Sequence, residues 1–348
     1  MSERNALLAS IAGTIKDYRA GEIEEPTPEH VGRWIKQFDG EVRVPLLREL
    51  DHILKHTYFS RKQVTTFLKG LVGENELAGS DPCGYWGKAH FLRIQQNGHS
   101  QEELLAIFDE VLQRKCGFTT AGCGRPGGDF IYLDDAMFSG GRVGSDLAAW
   151  IQDKAPVKAT VHVIAVATHT FAEYKMPQRL DQVTNDQKKK INLKIWRIEA
   201  FENKLINRNI SEVLWPVELP VDEALKAYLE EEKKFPFKPR SPGGKTTHGI
   251  FSSEEGRQLV EWELLLAGLR IRSFCQNPSQ ALRPLGFSPF GLGFGSMIVT
   301  FRNCPNNCPL ALWWGDPDAD PNHPFSKWYP LLPRKTYATD VDFNVIDF

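Results

Sequence analysis

The sequence predicts an α/β fold, in which a mostly parallel sheet is flanked by helices, with a helical part before it and an α+β extension after it. Two observations carry the prediction. The apolar runs "FIYLD", "KATVHVIAVAT" and "INLKIWRIEA" read as strands, the second as a buried one. Helical patterns of about 10 to 15 residues separate them, as crossover connections between parallel strands require.

The first 80 residues read as helical. Leu7, Leu8, Ile11 and Ile15 share one face, Thr27-Pro28 is an N-cap with proline at the first helical position, and "VPLLRELDHILKH" keeps helical spacing. Ser60 with Gln63 forms a capping box before "VTTFLKGLV". Next, "KAHFLRIQ" reads as a strand and "QNGHS" as a turn. Ser100 with Glu103 forms a second capping box, opening a helix with Leu104, Leu105, Phe108, Val111 and Leu112 on one side. A Gly/Cys-rich loop leads to "FIYLD", and the helix "GSDLAAWIQDK" follows the glycine turn.

Beyond the strands, "DEALKAYLEEEKK" reads as a charged helix running into "FPFKPRSPGGK", an exposed basic loop or hinge. Ser252 with Glu255 caps one more helix, for which Gly268 is the expected stop. The tail "GFGSMIVTFRNCPNNCPLALWWG" predicts two strands joined by a Cys-Pro-Asn-Asn turn, with Trp313, Trp314 and Trp328 as packing residues. Three regions are expected: a helical part over 1–80, an α/β core over 81–220, and an extension over 221–348 packing on that core.

Composition narrows the function classes. A net charge of -2 in 348 residues argues against nucleic-acid or anionic-membrane binding by the whole surface, while a local basic patch stays open. No apolar run reaches the roughly 20 residues of a membrane helix. Six cysteines with no secretion signal predict reduced thiols in a cytoplasmic protein. Of the pairs Cys304/Cys308 and Cys116/Cys123, only the first fits the spacing that zinc sites use, and Pro-Asn-Asn is turn chemistry in its own right.

The chemistry concentrates in "FIYLDDAMFSGGRVGSDL". In an open parallel sheet, ligands bind outside the carboxyl ends of the strands, and this strand delivers Asp134 and Asp135 there. Ser139-Gly140-Gly141 follows and feeds a helix whose first N–H groups favour an anion. Two adjacent carboxylates repel, so they must be solvated, protonated, or set against a cation or hydroxyl groups. A sugar phosphate meets both demands: the turn holds the phosphate while the carboxylates take ribose hydroxyls or face a magnesium ion.

The run Phe130 to Arg142 resembles the phosphoribosyl-pyrophosphate motif of type I phosphoribosyltransferases: four apolar residues, two acids, three variable residues, then a Thr/Ser-Gly turn. Arg142 stands where that family has Thr or Ser, exchanging a hydroxyl contact for a cation. The resemblance implies a type I phosphoribosyltransferase-like core. Ser139, Gly140, Gly141, Arg142 and Val143 would cradle a 5′-phosphate, with Asp134 and Asp135 as the catalytic pair. Mg²⁺ would be carried by the ligand near them. It also implies a pyrophosphate loop at "HFLRIQ-QNGHS-QEELL", with Arg93, Asn97, Gly98 and His99 in it and Lys88 nearby.

These segments, "YFSRKQV" and the tail "RNCPNNCPLALWW…WYPLLPR" together resemble a phosphoribosyltransferase-like family of prokaryotic conflict systems, found in antiphage operons including some retrons. That resemblance spans roughly 45 to 335 and implies a defence effector. Such an effector would bind phosphoribosyl pyrophosphate or a nucleotide and act at the ribose anomeric carbon, by ribosyl transfer or N-glycosidic hydrolysis.

Other readings stay beside it. The magnesium-binding strand of a P-loop nucleotidase is a rival for "FIYLDD", disfavoured because Pro239 occupies the first glycine position before Gly244-Lys245-Thr246 and that stretch lies downstream in a loop. Asp134 and Asp135 could simply cap a turn. A non-catalytic nucleotide sensor, or a partner of an operon protein or nucleic acid through the basic loop 233–245, are the alternatives from other classes, and an oligomer is compatible with each. His162 and His169 read as hydrogen-bonded structural groups, and Thr168 and Thr170 as residues lining the sugar.

Overall fold

The computed structural model describes residues 2–95, 100–232, 236–288 and 291–334. Its contacts form two compact units. One holds the chain up to Ser60 and again from Glu202; the other is Arg61–Phe201. The divisions thus fall at 60 and 201 rather than at 80 and 220, and the C-terminal part clusters with the N-terminal helices.

The first unit opens with α1 (Glu3–Thr14), α2 (Pro28–Ile35), α3 (Arg43–Thr57) and the short β1 (Tyr58–Phe59). Thr27 caps α2 as the sequence predicts, its hydroxyl accepting from the N–H of His30 at 3.3 Å. The second unit begins with α4 (Arg61–Val72), α5 (Asn75–Ala78) and α6 (Pro82–Lys88). It continues with β2 (His90–Phe91), α7 (Ser100–Cys116), β3 (Phe130–Met137), α8 (Gly141–Asp153), β4 (Lys158–His169), α9 (Thr170–Asp186), β5 (Lys190–Trp196) and β6 (Glu199–Phe201). The chain then returns to the first unit with α10 (Glu223–Glu231), α11 (Glu254–Arg272), β7 (Val299–Thr300) and α12 (Leu310–Trp313).

The sheet of the second unit runs β2-β3-β4-β5, with β6 also on β4, and every pairing is parallel. β3 and β4 are the central strands, buried almost throughout. Tyr132, Val161 and Val163 meet Leu147, Trp150, Met176 and Leu180 of α8 and α9 in one core. The register pairs Ile131 with His162 and Asp134 with Ala165, which fixes how far each strand projects at either edge.

Several expectations are corrected. β3 does not end at the acid pair; it carries both aspartates inside the strand and stops at Met137. The predicted strand "KAHFLRIQ" reduces to two residues, and "INLKIWRIEA" divides into β5 and β6. In the tail only Val299–Thr300 is a strand, pairing in parallel with β1, and "LALW" is the helix α12. α11 is capped by Ser253, because the backbone N–H and hydroxyl of Ser252 are both given to Glu49. Gly268 lies inside α11: a Cβ there would come within 2.3 Å of Pro284 O, so the glycine serves a close backbone approach and not a stop.

Irregular backbone in the first unit is held by buried charge. Arg257 donates to Glu261 Oε1 at 2.8 Å and to the carbonyls of Ser211 and Val213 at 2.8 and 2.7 Å. Arg240, placed by the sequence in an exposed basic loop, is 3% exposed and ion-paired with Glu254. It is therefore unavailable to nucleic acid, while Lys233 and Lys234 lie outside the described residues. Among the described residues no helix is long and apolar enough to cross a membrane.

The expectation of six reduced thiols is also overturned. Cys83 of α6 and Cys116 at the end of α7 form a disulfide, with Cα atoms 5.4 Å apart and a sequence separation of 33. That bond removes Cys116 from any zinc set. A loop of this length gives a cross-link worth about 4 kcal/mol through the unfolded chain. Dithiothreitol should lower the unfolding free energy of the wild type, read from urea titrations, by that amount and leave Cys83→Ser unmoved.

Candidate functional site

β3 leads its acid pair to the carboxyl edge of the sheet and buries it there, Asp134 at 2% and Asp135 at 8% exposure. Asp134 Oδ1 accepts from Ser100 Oγ at 2.7 Å and from the N–H of Asp135 at 2.8 Å. Asp135 Oδ1 accepts from the N–H of Ala136 at 2.9 Å. Burial pushes the Asp134 carboxyl up to about 7, and the neighbouring charge of Asp135 adds to the rise. Arg142 and the Ser100 hydroxyl act in the opposite direction.

Ser100 is thus more than a helix signal. It is the first residue of α7, and its hydroxyl is given to Asp134 across 34 positions of sequence. Gln95 Nε2 donates to the same hydroxyl at 2.7 Å, so a chain of donors runs from Gln95 through Ser100 to the carboxylate. Gln101 locks the strand-to-helix segment: its N–H donates to Gln95 Oε1 at 3.1 Å, and its Oε1 accepts from the N–H of Ile94 at 3.0 Å.

The glycine turn lies directly after β3. Gly140 adopts φ +76° as the N-cap of α8, and no side chain caps that helix. Ser139 Oγ accepts from the N–H of Gly141 at 3.2 Å, and the first helical bond is from Gly144 N to Gly140 O at 2.8 Å. The N–H groups of Arg142 and Val143 are left without a protein partner among the described residues. Unpartnered N–H groups at a helix start, with no acid in the first turn, suit an anion. α9 backs the turn: a Cβ on Gly140 would sit 3.2 Å from Met176 Cβ.

α9 also brings groups that the sequence did not single out. Arg179 donates to Ser145 Oγ at 3.0 Å and reaches Gly141 O at 3.5 Å, so a second cation stands over the first turn of α8. Glu173 accepts from Thr168 Oγ1 at 2.5 Å and pairs with Arg197 Nε at 2.5 Å, at the carboxyl end of β4. Beneath the turn, Tyr132 donates to the buried Asp146 at 2.7 Å. The Arg179 contact depends on α9 lying across α8, and the Arg197–Glu173 pair on the chain after β5 returning to α9, so neither has a local signature.

The expected pyrophosphate loop is divided. Asn97, Gly98 and His99 lie outside the described residues. Arg93 donates to Thr120 Oγ1 at 3.3 Å, in the loop after α7. Lys88 is placed at the opposite edge: it ends α6 just before β2, and its carbonyl abuts Gly128 at the start of β3. In a parallel sheet the residues preceding each strand gather at the amino edge, away from the aspartates. His162 is a structural group, donating from Nε2 to Asp129 at 3.1 Å and accepting at Nδ1 from Trp196 Nε1 at 2.8 Å.

A family model named PRTase-CE matches residues 31–334, which takes in the acid pair, the glycine turn and the tail. The chain belongs to the PRTase-CE family. No curated protein and no solved structure matches it. Membership gives this parallel sheet a phosphoribosyltransferase-like identity, and in this PRTase-CE protein the family's stretch includes both the β3 aspartates and Arg142.

Gly140→Ala should destabilise the second unit by about 1–2 kcal/mol from the left-handed backbone alone, with the Met176 contact adding to it, as read by thermal unfolding. Asp134 titrates in the folded state well above its ordinary value, so the stability it lends is complete below pH 4 and is lost as pH rises towards 7. Asp134→Asn, which does not ionise, should therefore gain on the wild type by at most about 1.4 kcal/mol per pH unit across that window. Unfolding midpoints measured from pH 4 to 8 check the sign.

Proposed function

We propose that the carboxyl edge of this sheet binds phosphoribosyl pyrophosphate, or a nucleotide offering ribose 5-phosphate, and acts at its anomeric carbon. The observation that carries the reading is the meeting of a buried acid pair with a helix start whose N–H groups at Arg142 and Val143 have no protein partner. The 5′-phosphate would take those N–H groups, with Arg142 and Arg179 on either side. The ribose hydroxyls would meet Asp134 and Asp135. A carboxyl poised near neutrality can accept from a hydroxyl or donate to one, which suits Asp134 to that place.

As the bond to the leaving pyrophosphate or base breaks, positive charge grows on the sugar, and the carboxylates beneath it stabilise that charge. Magnesium suits such a site through the ligand. It is commonly held by one or two carboxylates plus substrate phosphates. When bound, the ion would neutralise charge on the leaving diphosphate.

The same proposal includes the role implied by the resemblance, a cytoplasmic effector of an antiphage system. In that compartment the Cys83–Cys116 bond would be exposed to reduction. One observation favours a second reading, a nucleotide sensor without turnover: both carboxylates already hold donors from the protein, Ser100 and the strand's own N–H groups.

Phosphorus NMR of the purified protein with magnesium and phosphoribosyl pyrophosphate, or a nucleotide, separates these. Turnover should appear and fall by roughly a hundredfold or more in Asp134→Asn/Asp135→Asn. Wild-type turnover in that double variant would sink the site assignment. Saturable binding without product would select the sensor.

A further inference from the structure

We propose that the amino edge of the same sheet, at the end away from the aspartates, is a second site, built for a nucleoside phosphate. A cavity of about 770 Å³ opens there, lined by His90, Asp129, Lys158, Thr160, Lys190 and Asn192 among others. That volume is in the range of small-ligand pockets. Asp129, just before β3, is five positions from Asp134, about 16 Å of extended chain, so this cavity is distinct from the site at the carboxyl edge and does not depend on its assignment.

The charge arrangement is the first argument. Lys158 opens β4 and Lys190 opens β5, and the register pairs them directly, as it does Thr160 with Asn192. Like charges at paired cross-strand positions repel. Both lysines are exposed, and neither has an ion-pair partner among the described residues. An anion placed between the two ammonium groups removes that repulsion, and the Thr160 hydroxyl and Asn192 amide beside them supply further hydrogen bonds.

The second argument is the rest of the lining. Asp129 is held from behind, its Oδ2 accepting from His162 Nε2 at 3.1 Å and from Tyr85 OH at 3.3 Å. Its side chain is still 34% exposed, which leaves an acceptor facing the cavity for a ligand hydroxyl. The His90 ring stacks on Phe130 at 4.9 Å and 23°, fixing a flat imidazole face at the rim. Gly128 keeps the wall in place, since a Cβ there would fall 1.8 Å from Lys88 O. A cationic pair for phosphate, a carboxylate for a sugar hydroxyl and an aromatic face for a base together describe a nucleoside phosphate. A bare anion would leave Asp129 and His90 unused.

Isothermal titration of the full chain with adenosine 5′-monophosphate and, separately, with inorganic phosphate tests this. Adenosine monophosphate binding should survive Asp134→Asn/Asp135→Asn. Measured in that aspartate double variant, so that the carboxyl edge does not contribute, it should weaken by roughly tenfold or more on adding Lys158→Glu, a change that creates a cross-strand ion pair with Lys190 and so leaves the unfolding midpoint unchanged or higher. Lys190→Gln is the second variant and should weaken binding in the same direction. Wild-type affinity in both lysine variants, loss of all binding with the aspartate pair, or no binding by the wild type at millimolar nucleotide would each overturn the proposal. Inorganic phosphate binding as tightly as the nucleotide would overturn the nucleoside part of it.

Discussion

The buried carboxylate of Asp134 is the constraint around which the second unit is arranged. A charge taken out of water within a central strand must find donors or give up its charge. Here it does both. Ser100 brings the amino end of α7 to the carboxyl edge of β3, and the carboxyl is held near neutrality by burial and by Asp135. The strand-to-helix segment is then fixed by Gln95 and Gln101, and the acid pair stands directly before the turn that opens α8.

That arrangement gives the two edges of one parallel sheet opposite chemical characters. At the carboxyl edge, paired acids meet a helix start with open N–H groups and cations contributed by α8 and α9. At the amino edge, the first residues of β4 and β5 set two lysines in register, with Asp129 and an aromatic pair beside them. Both follow from parallel pairing, which collects all strand starts at one end and all strand stops at the other. An antiparallel sheet would have mixed them.

The first unit is organised by polar groups carried on aromatic and charged side chains. Trp34 and Trp328 both donate to the carbonyl of Ala311, at 2.7 and 3.0 Å, which ties α2 and the tail to α12. Tyr18 is fully buried, donating to the carbonyls of Leu332 and Pro333 and accepting from the N–H of Cys304. His30 and Gln37 reach the same tail through Tyr329 and Leu331. Irregular chain can be buried in this way because its backbone groups are answered by side chains in place of a ladder. The Trp-rich tail therefore acts in packing, as its sequence suggests.

The sequence by itself determined the class of the fold, the cap at Thr27, the run of β3 into α8, and the acid pair next to a glycine turn. These are local properties: apolar runs, capping residues, and glycine where a left-handed residue is needed at Gly140. Only the tertiary structure decided what depends on distant chain. Ser100 reads as a helix cap until β3 brings Asp134 to it, and Ser252 likewise until Glu49 takes its hydroxyl. Gly268 reads as a stop until Pro284 packs against it, Arg240 as an exposed cation until Glu254 and Glu261 enclose it, and Cys83 as a free thiol until α7 ends beside it. The pairing of Lys158 with Lys190 belongs with these, because register is a relation between strands that neither strand's own residues record.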